Sequence, residues 1–236
     1  MEKDKNSTPE NQVDVGKLKK TVALRFIFVL LIFGLMFFWP AGTFRYWQAW
    51  IYIAILFIPM LGVLVYFLRK NPELLERRMR TKEEERKQKW IVGLSLPIFV
   101  GAFLLPGFDR RYGWSAVPPF VVIIADAIVF AAYVLGVLVM RENPYASRVI
   151  EVEESQKVIT TGPYAVIRHP LYLAGLIIYL LSPLALGSYW AVLPALLLIF
   201  IFVARILTEE KVLAEKLPGY REYLQHVRFR LIPGIW

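Results

Sequence analysis

Residues 168–210 read RHPLYLAGLIIYLLSPLALGSYWAVLPALLLIFIFVARILTEE. Two apolar runs, 171–186 and 189–207, are joined by Gly187-Ser188 and bracketed at their outer ends by ionisable side chains. A backbone placed in hydrocarbon must satisfy its own hydrogen bonds, so runs of this kind are helices. A Gly-Ser junction between them is a turn signal. The stretch therefore predicts a helical hairpin whose two polar ends return to the same side.

Working outward, four more apolar segments stand at residues 24–39, 47–68, 90–106 and 118–140. The chain is 57% hydrophobic and 20% charged, and its mean hydropathy is +0.50. That excess is concentrated in the six segments, and a span needs about 20 residues. The expected fold is all-α, a polytopic integral membrane helical bundle of about six spans with a polar C-terminal region on the cytoplasmic side. Three parts are expected. Residues 1–20 are polar and read as a disordered cytoplasmic tail. Residues 21–140 hold N-terminal membrane helices with a charged connector at 69–89, whose stretch 72–89 reads as a helix in solvent or on the membrane surface. Residues 141–236 form the functional core.

All but three of the 28 lysines and arginines fall on one side of this layout, the exceptions being Arg45, Arg110 and Arg111. The positive-inside rule then puts both termini in the cytoplasm. Trp39, Trp47, Trp50, Trp114 and Trp190 mark the outer interface and Trp90 the inner one. The net charge of +9 is assigned to loops facing an anionic leaflet rather than to nucleic acid, because no basic stripe lies on a soluble fold. With no cysteine in the chain, disulfides, zinc-cysteine sites and a thiol nucleophile are excluded.

Polar chemistry gathers in two stretches, 141–170 and 205–236, that flank the hairpin. Its turn brings Arg168, His169 and Tyr172 to face Arg205, Glu209 and Glu210. Gly162-Pro163-Tyr164, Arg168-His169-Pro170-Leu171-Tyr172, Glu209-Glu210, Tyr220, Tyr223 and Leu231-Ile232-Pro233 resemble the isoprenylcysteine carboxyl methyltransferase family and the related phospholipid N-methyltransferases. The resemblance covers about the last 100 residues; six apparent spans and the stretch Asn143-Pro144-Tyr145-Ala146-Ser147-Arg148 depart from the eukaryotic pattern. It implies a bacterial-type enzyme of the inner membrane, S-adenosylmethionine as cofactor, and a lipid or lipidated substrate with a carboxylate as methyl acceptor. Tyr164, His169, Tyr172, Glu209 and Glu210 then line the cofactor, and Arg168, Arg205 and Glu210 serve catalysis, with Arg205 at the position that places a substrate carboxylate. No glycine-rich strand-to-helix turn is present, so a soluble dinucleotide-type cofactor site is not supported.

Each of these residues also has a plainer reading. Arg168 suits a phospholipid headgroup as well as a carboxylate, and His169 suits a helix start before Pro170. Tyr164 and Tyr172 suit interfacial anchoring. Arg205 and Glu209 stand four apart and suit an internal ion pair. Asp126 lies within a span and calls for a structural hydrogen bond or a neutral form. His226 reads as a surface or headgroup contact, and Asn143, Ser147 and Glu151 as caps or pocket lining. A non-catalytic membrane scaffold and a small transporter are the rival functions; no pair of broken helices supports the second.

Overall fold

The computed structural model describes residues 14–79, 86–146, 152 and 156–236, and all its regular elements are helical. In chain order these are α1 (Val15–Ala41), α2 (Trp47–Lys70), α3 (Pro72–Met79), α4 (Arg86–Tyr112), α5 (Pro119–Glu142), a 3-10 turn (Gly162–Ala165), α6 (Pro170–Ala185), α7 (Val192–Lys216) and α8 (Tyr220–His226). Four of them, α1, α2, α5 and α7, are long and apolar enough to cross a membrane. α4 has 27 residues and packs against α1 and α7, and the shorter apolar α6 has 16 and packs against α5 and α7. The protein is a polytopic helical membrane bundle. Large apolar side chains cover its outer surface, with Leu31 66%, Phe120 64% and Phe200 71% exposed, which suits lipid and not water.

The N-terminal boundary differs from expectation. α1 begins at Val15, so residues 15–20 are helical rather than tail. Asp14 caps that start by accepting from the Lys17 backbone N–H at 3.0 Å. Leu18 and Val22, four residues apart, are buried against Leu74 and Leu75 of α3, which anchors the lysine-rich turn to the bundle. Residues 1–13 lie outside the described residues. In the charged connector only 72–79 and the start of α4 are described as helix; residues 80–85, with Glu83, Glu84 and Glu85, lie outside them.

Small residues bring the helices together. Ala125, Val129, Ala132, Gly136 and Val139 share a buried stripe of α5. A first side-chain carbon on Gly136 would stand 3.7 Å from Ala174 Cβ of α6, the close approach that drives packing where no hydrophobic effect operates between helices. At the centre Phe33, Phe37, Tyr52, Phe99, Phe103 and Tyr179 form an aromatic cluster linking α1, α2, α4 and α6. The phenol of Tyr52 bonds Ser182, whose hydroxyl donates to the Ile178 carbonyl at 2.6 Å.

The hairpin turn is clasped from outside. Asp109 at the end of α4 is 1% exposed and bonded by both Ser115 and Ser188, and Tyr46 donates to the Leu186 carbonyl. Burial raises the Tyr46 phenol far above its usual range, with the Asp109 charge adding to it, so it stays a donor. Asp126 is buried in α5, and neither carboxylate oxygen has a hydrogen-bond partner among the described residues. Of the two expected outcomes the structural hydrogen bond is not made, which leaves the neutral form.

The length of α6 sets the depth of its ends. Sixteen residues extend roughly 24 Å, short of the hydrocarbon thickness of about 30 Å. The two ends cannot both reach the bilayer surfaces, so at least one end lies within the hydrocarbon thickness.

Of the glycines Gly107 leaves the least room: an added side-chain carbon would stand 2.5 Å from Pro40 Cγ and 2.8 Å from the Phe37 carbonyl oxygen. Gly107→Val is expected to lower stability by about 1–3 kcal/mol through overpacking. Reversible unfolding in mixed micelles measures it; an unchanged midpoint would contradict the close approach of α1 and α4.

Candidate active site

The site begins where α5 ends. Asn143 accepts from the Tyr145 backbone N–H at 2.9 Å and donates Nδ2 to the Tyr164 hydroxyl at 3.0 Å. Thr161 bonds Glu142, and Gly162, with φ of 56°, turns against that same glutamate. An added side-chain carbon at Gly162 would meet Glu142 Cδ at 3.1 Å, so the left-handed turn and the close packing both select glycine. The 3-10 turn then presents Tyr164, whose carbonyl accepts from the Tyr223 hydroxyl at 2.7 Å.

The C-terminal segment returns along the start of α6. The backbone N–H groups of Arg168 and His169 donate to the carbonyls of Phe229 and Arg230, each at 2.9 Å. Arg168 Nη1 adds a bond to the Val227 carbonyl at 3.0 Å. Tyr220 and Tyr223 of α8 pack with Leu217 and Val227 under this return. Burial raises both phenols, Glu210 adding to the first and Tyr164 to the second; both stay neutral at physiological pH, and Tyr223 acts as a donor.

Glu210 joins the parts. Its Oε1 accepts from Arg168 Nε at 2.7 Å and lies 3.2 Å from His169 Nε2, and its Oε2 accepts from Arg230 Nε at 2.9 Å. Arg168, His169 and Glu210 are 8%, 4% and 7% exposed, so these bonds lie largely out of water, where a charge survives only if paired and hydrogen-bonded. Arg230 also stands over the Trp236 ring at 5.2 Å.

A second set lies beside the first on the same two helices. Arg205 Nε donates to the Tyr172 hydroxyl at 2.9 Å, and that hydroxyl donates to Glu209 Oε2. The tyrosine stands between the arginine and the carboxylate that the sequence puts on one helical face. The two glutamates thus divide the work: Glu210 gathers Arg168, His169 and Arg230, while Glu209 shares Tyr172 with Arg205. All three members of this second set are half-buried.

Residues 120–218 match the phospholipid methyltransferase family model. The matched segment runs from α5 to just beyond α7, so it contains the hairpin, Arg168, His169, Tyr172, Arg205, Glu209 and Glu210. The matched family is one of membrane methyltransferases, in keeping with the resemblance carried by the sequence. No match was found among curated proteins.

The structure brings together every residue the sequence singles out around the hairpin: Tyr164, Arg168, His169, Tyr172, Arg205, Glu209 and Glu210. Asn143 joins them through Tyr164. Ser147 and Glu151 lie outside the described residues. His226 is exposed on α8 and donates Nδ1 to the Glu222 carbonyl at 2.7 Å, away from Glu210. Arg230 is the site residue that the sequence does not point to. Nothing in its spacing places it beside Glu210; only the return of the chain along α6 does so. Among the described residues no three His, Asp or Glu side chains converge in a way that could hold a metal ion.

Glu210→Gln keeps the side chain's size and removes its charge, leaving the buried Arg168 without its anion. Loss of one partner of a buried pair costs about 3–5 kcal/mol, and unfolding in micelles should show a loss of that order. Arg230→Ala, whose side chain is 29% exposed, should cost about 1–2 kcal/mol less, because solvent screens its half of the bond. Equal stability of the wild type and Glu210→Gln would show that Glu210 does not hold the site together.

Proposed function

We propose that this chain transfers a methyl group from S-adenosylmethionine to a lipid or lipidated acceptor, from the cytoplasmic face of a bacterial inner membrane with both termini on that side. The observation that carries the reading is the pairing of two ionic sets at the polar ends of one hairpin, all but Arg230 within the segment matching a methyltransferase family.

The donor set suits the cofactor. Its amino-acid end carries an ammonium and a carboxylate and needs partners of both signs, and its ribose needs hydrogen-bond acceptors. Glu209, Tyr172, Arg205, Asn143 and Tyr164 offer both kinds, half-buried and already oriented by one another. In this reading Tyr164, His169, Tyr172 and Glu209 hold the cofactor. Glu210 contributes by fixing His169 and Arg168, while Arg168 and Arg205 place an anionic acceptor group. S-adenosylmethionine supplies a methyl group already activated on a sulfonium, so no metal or covalent intermediate is needed. What remains for the protein is alignment and exclusion of water, which together are worth up to about 7–11 kcal/mol.

Two acceptors fit. A carboxylate, as in an isoprenylcysteine, is drawn by Arg205 beside Tyr172 and reacts in its ionised form without a base. A phospholipid amine is favoured by the family match and must first shed a proton, for which the Glu209 carboxylate is at hand. Incubation of the protein in vesicles with methyl-labelled cofactor and each acceptor in turn separates them. Label should enter one organic-soluble product, and Tyr172→Phe, which removes the hydroxyl shared by Arg205 and Glu209, should lower the rate by about 10²-fold or more, the scale of one lost positioning contact. Label in neither product, with folded protein and saturating cofactor, would contradict a lipid acceptor of either kind.

A further inference from the structure

The end of the bundle remote from the candidate active site carries the three cations that the positive-inside rule leaves unexplained. Arg45 lies in the turn between α1 and α2, and Arg110 and Arg111 close α4. The fold gathers them on that one turn. Arg110 Nη2 donates to the Arg45 carbonyl at 3.3 Å, and a side-chain carbon on Gly42 would stand 3.6 Å from Arg111 Cζ. All three residues are exposed.

Their counter-charge is missing from the surface. In the turns at this end, 42–46, 109–118 and 186–191, the sole carboxylate is Asp109. It is 1% exposed, with its oxygens bonded to Ser115 and Ser188. The dipole of α4 accounts for cations in its last turn. It does not account for Arg45, which precedes the first turn of α2, where a cation is disfavoured.

The depth of the cluster identifies what it meets. Tyr112, Trp114, Trp47 and Trp50 beside it are exposed, and such rings settle at the headgroup level of a bilayer. Guanidinium groups at that level bond phosphate oxygens in pairs. A zwitterionic headgroup also needs an anion for its ammonium, and the one carboxylate here is buried and occupied.

We propose that Arg45, Arg110 and Arg111 form a docking site for the phosphate of an anionic glycerophospholipid in the leaflet remote from the candidate active site. The site holds a net-negative lipid in preference to a zwitterionic one. It ties the α1–α2 turn to the end of α4 through the lipid.

Tryptophan quenching by lipids brominated in the acyl chains reads the site locally. In the background Trp90→Phe, Trp236→Phe the remaining tryptophans are 39, 47, 50, 114 and 190. The full chain is placed in phosphatidylcholine vesicles containing either brominated phosphatidylcholine or brominated phosphatidylglycerol, with folding checked by circular dichroism. The anionic lipid is expected to compete for the quenching positions about fivefold better or more at low salt. In Arg45→Gln, Arg110→Gln, Arg111→Gln that preference should vanish. Should the triple variant misfold, Arg45→Gln alone should reduce the preference. Equal quenching by the two lipids in the unsubstituted arginine background, or a preference that survives the substitutions in folded protein, would overturn the proposal. So would loss of the preference when inorganic phosphate replaces chloride at equal ionic strength, since that marks a site for a free anion.

Discussion

One carboxylate, that of Glu210, ties together three parts of the chain that share no local sequence relation. Arg168 and His169 come from the start of α6, Glu210 from near the end of α7, and Arg230 from the returning C-terminal segment. Charges withdrawn from water are costly singly and tolerable when mutually hydrogen-bonded. The arrangement is therefore cooperative: each cation justifies the burial of the carboxylate, and the carboxylate justifies theirs. The backbone pairing of 168–169 with 229–230 adds rigidity that side chains alone would not supply.

Around that hub the helices have a plain task. α5 and α6 approach closely through alanines and glycine, α7 lies against α6, and the far end of the hairpin is clasped by Asp109 and Tyr46. A hairpin pinned at its turn delivers its polar ends in a fixed register. Because α6 is too short for the hydrocarbon layer, polar groups at its end can sit at a depth where lipid is within reach. The second set, Arg205, Tyr172 and Glu209, lies one helical position from the hub and is less buried. The more exposed set is the one with chemistry to offer a ligand, and the more buried one holds it in place.

Much of this is legible in the sequence, for reasons that differ from residue to residue. Gly187-Ser188 between two apolar runs leaves little freedom, so the meeting of Arg168, His169 and Tyr172 with Arg205, Glu209 and Glu210 follows from a turn signal and helix lengths. The division of labour between Glu209 and Glu210 cannot be read there, because adjacent residues on a helix differ by about 100° in direction and nothing local says which direction holds the partner. Arg230 is hidden for a different reason. Its place depends on backbone bonds to residues about 60 positions earlier, and such pairing leaves no periodicity. Composition misleads at the other terminus: Lys17, Lys19 and Lys20 mask the spacing of Leu18 and Val22 that seats the first turn of α1 on α3. Asp126 shows the limit of pattern reading, since its burial is foreseeable and its lack of a partner is not.

Whether the Glu210 hub builds a cofactor site is tested most directly by calorimetric titration of S-adenosylhomocysteine into the detergent-purified protein, with Arg168→Ala and Glu210→Ala alongside. Saturable binding by the wild type is expected, with both variants weaker by about 10-fold or more for loss of a charge-assisted bond. Absence of binding by folded wild-type protein, or binding untouched by both substitutions, would contradict a cofactor site built on Glu210.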